Sequence, residues 1–306
     1  MTRPSVVTCL AAAIAMLLPA WSTGVAASPP PAPDPTTVTI LYDAFGRRNG
    51  LVQDWGFAAL IEYQGKRILF DTGNNAVTFA ANVHRLHIDL KHLDLVVVSH
   101  RHSDHTAGLS VVLQENPSVP IYAPRDGGFG IFGSSVPGTF YRADPVLPDS
   151  MRYFDGVVPD EIRGGTLWPT AHLIVVDSSQ VIAPGIRIVA LVSDVPGTRE
   201  LRELSLVLDT PTGSILIVGC SHPGIERILA AATAGGASVR IVFGGLHLVA
   251  APDSIVGPLV QRLHGQWRIT QVAPGHCTGE PAFAALQREY GANYLYAGVG
   301  ERLELP

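Results

Sequence analysis

Six consecutive residues, His100-Arg101-His102-Ser103-Asp104-His105, carry four side chains that can donate to a metal ion. Imidazole and carboxylate are ligands that zinc, iron and manganese accept. His100 and His102 stand two apart, so in extended backbone both project to the same side. Asp104 and His105 come as the chain turns towards a helix, where they can face a second point close to the first. One short string can therefore supply parts of two adjacent metal positions. Metal pairs roughly 3.5–4 Å apart activate water against polar bonds. A solvated loop has no need of three imidazoles this close together.

Such a string needs a rigid base. Residues 95–99 (Leu-Val-Val-Val-Ser) provide a strand that feeds it, and residues 106–115 the helix that follows. Earlier strands are expected at 38–42, 56–63 and 66–70, the last running into Asp71-Thr72-Gly73, with a helix at 76–86. Short apolar runs closed by Gly-containing turns mark hairpins. A short strand is expected at 120–123. Later strands are expected at 186–191, 204–209, 214–218 and 240–243, and helices at 225–234, 255–264 and 281–290. Early hairpins followed by strand–helix alternation fit two sheets with helices outside better than one parallel sheet. Between the two parts, residues 125–170 are rich in Gly, Pro and aromatics and show no period. A stretch of that kind is a lid or an insertion, and its Phe129, Phe132, Tyr141 and Trp168 are candidates to line a substrate cleft.

The amino-terminal residues read as a signal peptide over 1–27. Arg3 is the sole charge before Asp34, residues 6–18 are apolar, and Val25-Ala26-Ala27 offers small residues for cleavage. The apolar run is too short for a spanning helix. Residues 28–37 are a proline-rich spacer, and 38–306 one domain. The mature chain is expected to be exported, to the periplasm or the medium, with no stable membrane insertion. A net charge of −5 argues against a nucleic-acid surface, which needs concentrated Lys and Arg. The expected partner is a small-molecule substrate; the oligomeric state is left open.

Cys9 leaves with the signal, so Cys220 and Cys277 remain. Each neighbours a histidine at a strand end, which leaves both a site role and a disulfide open. His222 ends the strand that carries Cys220 and reaches the same region, so it is a candidate ligand. His247 follows a Gly-Gly turn and is a candidate ligand, supporting group or substrate contact. Cys220 is either a thiolate ligand or ordinary packing. Asp71 suits the orienting of a ligand histidine by hydrogen bond better than direct ligation. His84, His87, His92, His172 and His264 lack such companions and are expected at the surface or in structural roles.

Taken together, these pieces resemble the metallo-β-lactamase-fold hydrolase superfamily, whose signature is His-x-His-x-Asp-His behind a buried strand. Phe70-Asp71-Thr72-Gly73, Ile217-Val218-Gly219 and Pro274-Gly275-His276-Cys277 match further pieces in order, so the resemblance covers essentially residues 38–306. It implies an α/β fold, a four-layer αββα sandwich with metals in the cleft between its sheets. It also makes His276 the last metal ligand. Two departures stand out. The superfamily's Pro-Gly-His turn corresponds here to Ser193-Asp194-Val195-Pro196-Gly197-Thr198, without a histidine, and the bridging Asp after the strand glycine is replaced by Cys220.

Gly219-Cys220-Ser221-His222-Pro223-Gly224, Gly244-Gly245-Leu246-His247-Leu248 and Gly275-His276-Cys277-Thr278-Gly279 resemble the branch named after dihydropterin-ribofuranosylaminobenzene phosphate synthase. The implied centre has His100, His102 and His222 at one metal and Asp104, His105 and His276 at the other. One or two zinc ions are expected, or Mn or Fe in their place. The expected activity is hydrolysis of an ester, lactone, amide or phosphodiester-type bond by metal-activated water, with Asp104 also orienting that water. A transferase like the branch's namesake and a non-catalytic metal- or ligand-binding protein are the alternatives.

Overall fold

The computed structural model describes residues 1–2, 35–47, 50–125, 134–142, 144–164 and 171–305. The expected signal peptide beyond Thr2, most of the proline-rich spacer, and Phe129, Phe132 and Trp168 lie outside these residues. The chain divides into Met1–Pro33 and Asp34–Pro306, and the description below concerns the second unit.

In chain order its elements are β1 (Thr36–Tyr42), β2 (Ala58–Tyr63), β3 (Lys66–Phe70), α1 (Ala76–Arg85), β4 (Leu95–Val97), α2 (Ser103–Thr106), α3 (Leu109–Glu115), β5 (Ile121–Pro124), β6 (Ser134–Pro137) and β7 (Glu161–Gly164). There follow β8 (Leu173–Val176), β9 (Gln180–Ala183), β10 (Ile186–Val192), β11 (Arg202–Thr210), β12 (Gly213–Val218), α4 (Ile225–Ala232), β13 (Val239–Gly245), α5 (Asp253–Gly265), β14 (Gln271–Gly275), α6 (Glu280–Tyr290) and β15 (Arg302–Leu305). Among the described residues, one sheet is ordered β15-β1-β2-β3-β4-β5-β8 and the other β14-β13-β12-β11-β10-β9, with β6 and β7 paired as a separate ribbon.

Three apolar cores build the layers. Val38, Ile40, Ile61, Ile68 and Phe70 of the first sheet meet Ile188, Leu204, Leu206, Ile217 and Phe243 of the second. Leu41, Leu60, Leu69 and Val96 face the other way, onto Phe79, Val83, Leu109 and Val112 of α1 and α3. Val207, Leu216 and Val242 do the same on the second sheet, against Ile228, Leu229, Val260, Leu263 and Leu286 of α4–α6. Each such side chain contributes about 1.5–3 kcal/mol when fully buried. The result is a four-layer αββα sandwich, the fold class expected from the sequence. Alternation along β1 and β11 puts successive residues into different layers, which fixes strand register.

The division of hairpins and alternation is subtler than the sequence suggests. β1, β2 and β3 are antiparallel, but β3, β4, β5 and β8 are parallel. β10, β11 and β12 are antiparallel, then β12, β13 and β14 parallel. Each sheet thus changes from hairpin to crossover connections part-way, and parallel strands deliver their carboxyl ends to one edge. That edge is where open α/β sheets place their sites.

Several boundaries differ from expectation. β1 starts at Thr36, pairing with Leu305 of the unanticipated β15, and β14 was also hidden by its Pro274 and Gly275. The helix expected at 106–115 is two helices, with Gly108 between them. A Cβ on Gly108 would lie 2.4 Å from the Thr72 carbonyl oxygen and against the Phe79 ring. The 125–170 stretch contains the β6–β7 ribbon, and its Tyr141 packs against Tyr153 and Phe154 of the same segment. No helix among the described residues is long and apolar enough to cross a membrane.

Candidate metal centre

The first sheet contributes a buried relay. Asp71, just past β3 and in left-handed backbone at φ 58°, accepts hydrogen bonds from the Ser99 backbone N–H and hydroxyl, each at 2.7 Å. It also accepts from His105 Nδ1 at 2.7 Å. The Ser99 hydroxyl, having spent its proton on Asp71, accepts from His100 Nδ1 at 2.8 Å. Both imidazoles therefore carry a proton on Nδ1 and turn Nε2 inward. His100 Nε2 lies 3.0 Å from His102 Nδ1.

A second buried carboxylate organises the other sheet. Glu203 of β11 accepts from the backbone N–H of Cys220 (3.1 Å), Ser221 (2.7 Å) and His222 (2.8 Å), and from His222 Nδ1 (2.9 Å). The turn after β12 is thereby wrapped around one side chain, with Ser221 at φ 65°. His222 Nε2 is left without a proton, and its ring stands 4.7 Å from that of His100 and 4.9 Å from that of His102, centroid to centroid. At the end of β14 the His276 backbone N–H is held by Asp43 at 2.9 Å. His276 Nε2 lies 3.2 Å from His105 Nε2 and 3.4 Å from Asp104 Oδ2. The Trp55 ring sits against His276 at 5.0 Å.

The two halves meet because nothing larger than hydrogen fits at Gly219. A Cβ there would be 2.3 Å from Ser99 Oγ and 3.1 Å from Asp71 Oδ2. Asp71, Ser221, His247 and His276 all follow parallel strands and all have positive φ, between 48° and 65°. Non-glycine residues hold such backbone at a cost, and they cluster where a site demands it.

Charge follows burial and neighbours. Burial pushes His100 well below the ordinary imidazole value, and the surrounding imidazoles push the same way. Burial opposes the imidazolium of His105 too, but the Asp71 carboxylate outweighs it and holds the group up at about 8. Burial works against an ionised Asp104 and an ionised Glu203; hydrogen bonding and charge from His276 and His105, and from His222 respectively, prevail and hold both below the usual carboxylate range. Burial raises the Cys220 thiol and the Asp43 carboxyl.

Donors gather in three groups, within each of which the donor atoms lie within 4.8 Å of one another: His100, Cys220 and His222; His105, Cys220 and His276; and Cys220, His247 and Cys277. The first two contain four buried imidazoles and one thiol. His100 and His222 aim unprotonated nitrogens at a common space, and the facing nitrogens of His105 and His276, 3.2 Å apart, need a proton between them that a cation would displace. Converging lone pairs repel in a dry interior. A cation relieves that repulsion, and nitrogen, sulfur and carboxylate oxygen suit Zn, Fe or Mn. The residues present therefore fit a metal centre.

Comparison with known proteins agrees. Residues 66–137 match the beta-lactamase superfamily domain. An uncharacterized protein of Methanocaldococcus jannaschii is 30% identical over 86% of this chain and 98% of its own length. The chain belongs to the metallo-β-lactamase superfamily. A second protein of that organism, 7,8-dihydropterin-6-methyl-4-(beta-D-ribofuranosyl)-aminobenzene-5'-phosphate synthase, is 26% identical over 85% of this chain and 94% of its own. The crystal structure of a metal-dependent hydrolase of the beta-lactamase superfamily superposes with a TM-score of 0.65 at 22% identity, covering 88% of this chain and 99% of that one.

Within this metallo-β-lactamase fold the departures noted in the sequence are neighbours in space. The turn at 193–198 has no imidazole to offer; instead the buried Ser193 hydroxyl donates to the His222 carbonyl at 3.1 Å. Cys220 Sγ stands 3.2 Å from His105 Nε2, between the two imidazole groups. The His247 ring lies against that of His222, centroids 4.4 Å apart and tilted by 53°, on the exposed side. Cys220 and Cys277 are free thiols. His84, His87, His92, His172 and His264 are exposed and away from these groups.

Reading the sequence missed Glu203, Asp43, Ser99 and Trp55. Glu203 had a usable signal: it shares a strand face with Ser205 and the buried Val207, where a charge demands partners. Trp55 lies in a loop with no pattern to mark it.

Proposed function

We propose that the protein is an exported metal-dependent hydrolase acting on an ester, lactone, amide or phosphodiester-type bond. The observation that carries this reading is the convergence of His100, Cys220 and His222, and of His105, Cys220 and His276, with Asp104 Oδ2 beside the second group. His100, His102 and His222 would hold one ion and Asp104, His105 and His276 the other, with Cys220 Sγ between them. A divalent cation in such a cradle supplies Lewis acidity and lowers the pKa of water.

The chain's own groups do the rest. Asp71 and Ser99 fix the proton of His105 and His100 on Nδ1, and Glu203 does so for His222. The site is dry on its inner side, where His100 and His105 are fully buried, and open where His102 and Asp104 reach solvent. Asp104, held ionised, would orient an attacking water that enters on that side by accepting a hydrogen bond from it. Positioning by ionised and hydrogen-bonded groups replaces bulk solvent around the reacting bond.

Elemental analysis of the metal-replete protein, coupled to turnover of lactones, β-lactams, phosphodiesters and sulfate esters, tests the reading. The expected outcome is one to two equivalents of Zn, Mn or Fe and hydrolysis of one of these classes, abolished by Asp104→Asn. Metal without turnover of any would instead describe a binding protein. A transferase reading draws on the relative that is a synthase, matched over 94% of its length. A joined product from a dihydropterin donor and ribofuranosylaminobenzene phosphate would establish it. Export rests on the apolar run at 6–18 and the small residues before Ser28. Amino-terminal sequencing of the secreted chain should begin at Ser28.

A further inference from the structure

The third donor group lies outside the two-ion reading, which makes no use of Cys277 or His247. Cys220 Sγ, Cys277 Sγ and a ring nitrogen of His247 lie within 4.8 Å of one another. The Cys277 thiol donates to the Cys220 carbonyl oxygen at 3.7 Å. Both cysteines are nearly inaccessible, at 3% and 2% exposure, while His247 is exposed and gives the group a way in. The backbone is shaped to leave room for it. A Cβ on Gly245 would lie 2.8 Å from Cys277 Sγ, and His247 is held in left-handed backbone at φ 52°.

We propose that Cys220, Cys277 and His247 form a third metal position, selective for soft, thiophilic ions and sharing the Cys220 sulfur with the two-ion centre. Two sulfurs and an imidazole favour Zn2+, Cd2+ or Cu+ over Mn2+ or Mg2+. Three ligands from the protein leave a coordination position open towards solvent, as in sites that take up a further ligand. Cys220 belongs to all three donor groups, so filling this position couples it to the other two.

Titration of the reduced, metal-free, full-length protein with Co2+, followed by sulfur-to-cobalt charge-transfer absorption, tests the proposal. Wild type should take up one equivalent more than Cys277→Ser or His247→Ala, and both variants should lose most of the sulfur-derived intensity. X-ray absorption of the zinc-loaded protein should show one ion with two sulfur neighbours in wild type, and none in Cys277→Ser. His247→Ala alters an exposed side chain, so it decides the matter even where Cys277→Ser fails to fold. His102→Ala should lose metal from the two-ion centre and keep the two-sulfur signature, which separates failure of this proposal from failure of the hydrolase reading. Equal stoichiometry and sulfur intensity in wild type and His247→Ala would overturn it, as would a Cys220–Cys277 disulfide in the purified protein.

Discussion

Two buried carboxylates do the same work in the two halves of this centre, yet they are built differently. Asp71 follows β3 and secures a string that is contiguous in sequence: Ser99, its neighbour His100, and His105. Glu203 lies inside β11 and secures residues 220–222, the turn that follows the neighbouring β12, through three backbone N–H groups and one imidazole. Remove Asp71 and the string still follows its strand, because β4 and α2 hold it. Remove Glu203 and three buried N–H groups lose their acceptor together with the His222 tautomer. Both carboxylates act through tertiary contacts, but Asp71 mainly orients side chains of a string whose ligands adjoin in sequence, whereas Glu203 holds the backbone of the ligand-bearing turn itself.

Glu203→Ala should therefore be the most damaging change. Loss of a buried, fully hydrogen-bonded charge costs about 3–5 kcal/mol, measurable by denaturant unfolding, and the ion beside His222 should be lost as well. Asp71→Asn should spare the fold better and weaken metal binding about 10–100-fold, the usual effect of removing a carboxylate behind a ligand histidine; competition with a chelator measures it. If Asp71→Asn destabilised the protein as much as Glu203→Ala, the contrast between the halves would fail.

Acid should separate them too. Glu203 is held below its ordinary value of 4.5 in the fold, so its ionised form stabilises the protein above that pH. That contribution is lost as pH falls below 4.5 and the carboxylate takes a proton. Metal-free wild type should consequently lose stability on acidification more steeply than Glu203→Gln, by denaturant unfolding at a series of pH values. The smallest effect is expected at Trp55, 44% exposed and in tilted ring contact with His276. Trp55→Ala should leave metal content unchanged and cost under about 1 kcal/mol.

The same contrast explains what could be read from the sequence. Asp71, His100, His102 and His105 announce themselves by spacing behind an apolar strand, and the layer order follows from alternation in β1, β11 and β12. Cys220 and His222 could be nominated because they close the strand that ends at Gly219, and His276 because the family resemblance places the last ligand there. Glu203 left a fainter signal, a charge on an otherwise buried strand face, and its role takes shape once β11 has paired with β12 and brought it under residues 220–222. Asp43 is similar, being tied to the His276 N–H across the length of the domain. β14 and β15 escaped notice for another reason. Pro274 and Gly275 interrupt the apolar pattern of β14, and among the described residues β15 pairs with β1 alone at the sheet edge.

The central claim is that the rebuilt half, and not the hexad alone, completes a two-ion centre. Metal stoichiometry of His222→Ala compared directly with wild type and His102→Ala tests it. His222→Ala and His102→Ala should each fall about one equivalent below wild type while staying folded. A His222→Ala protein that retains the full wild-type complement would contradict the claim.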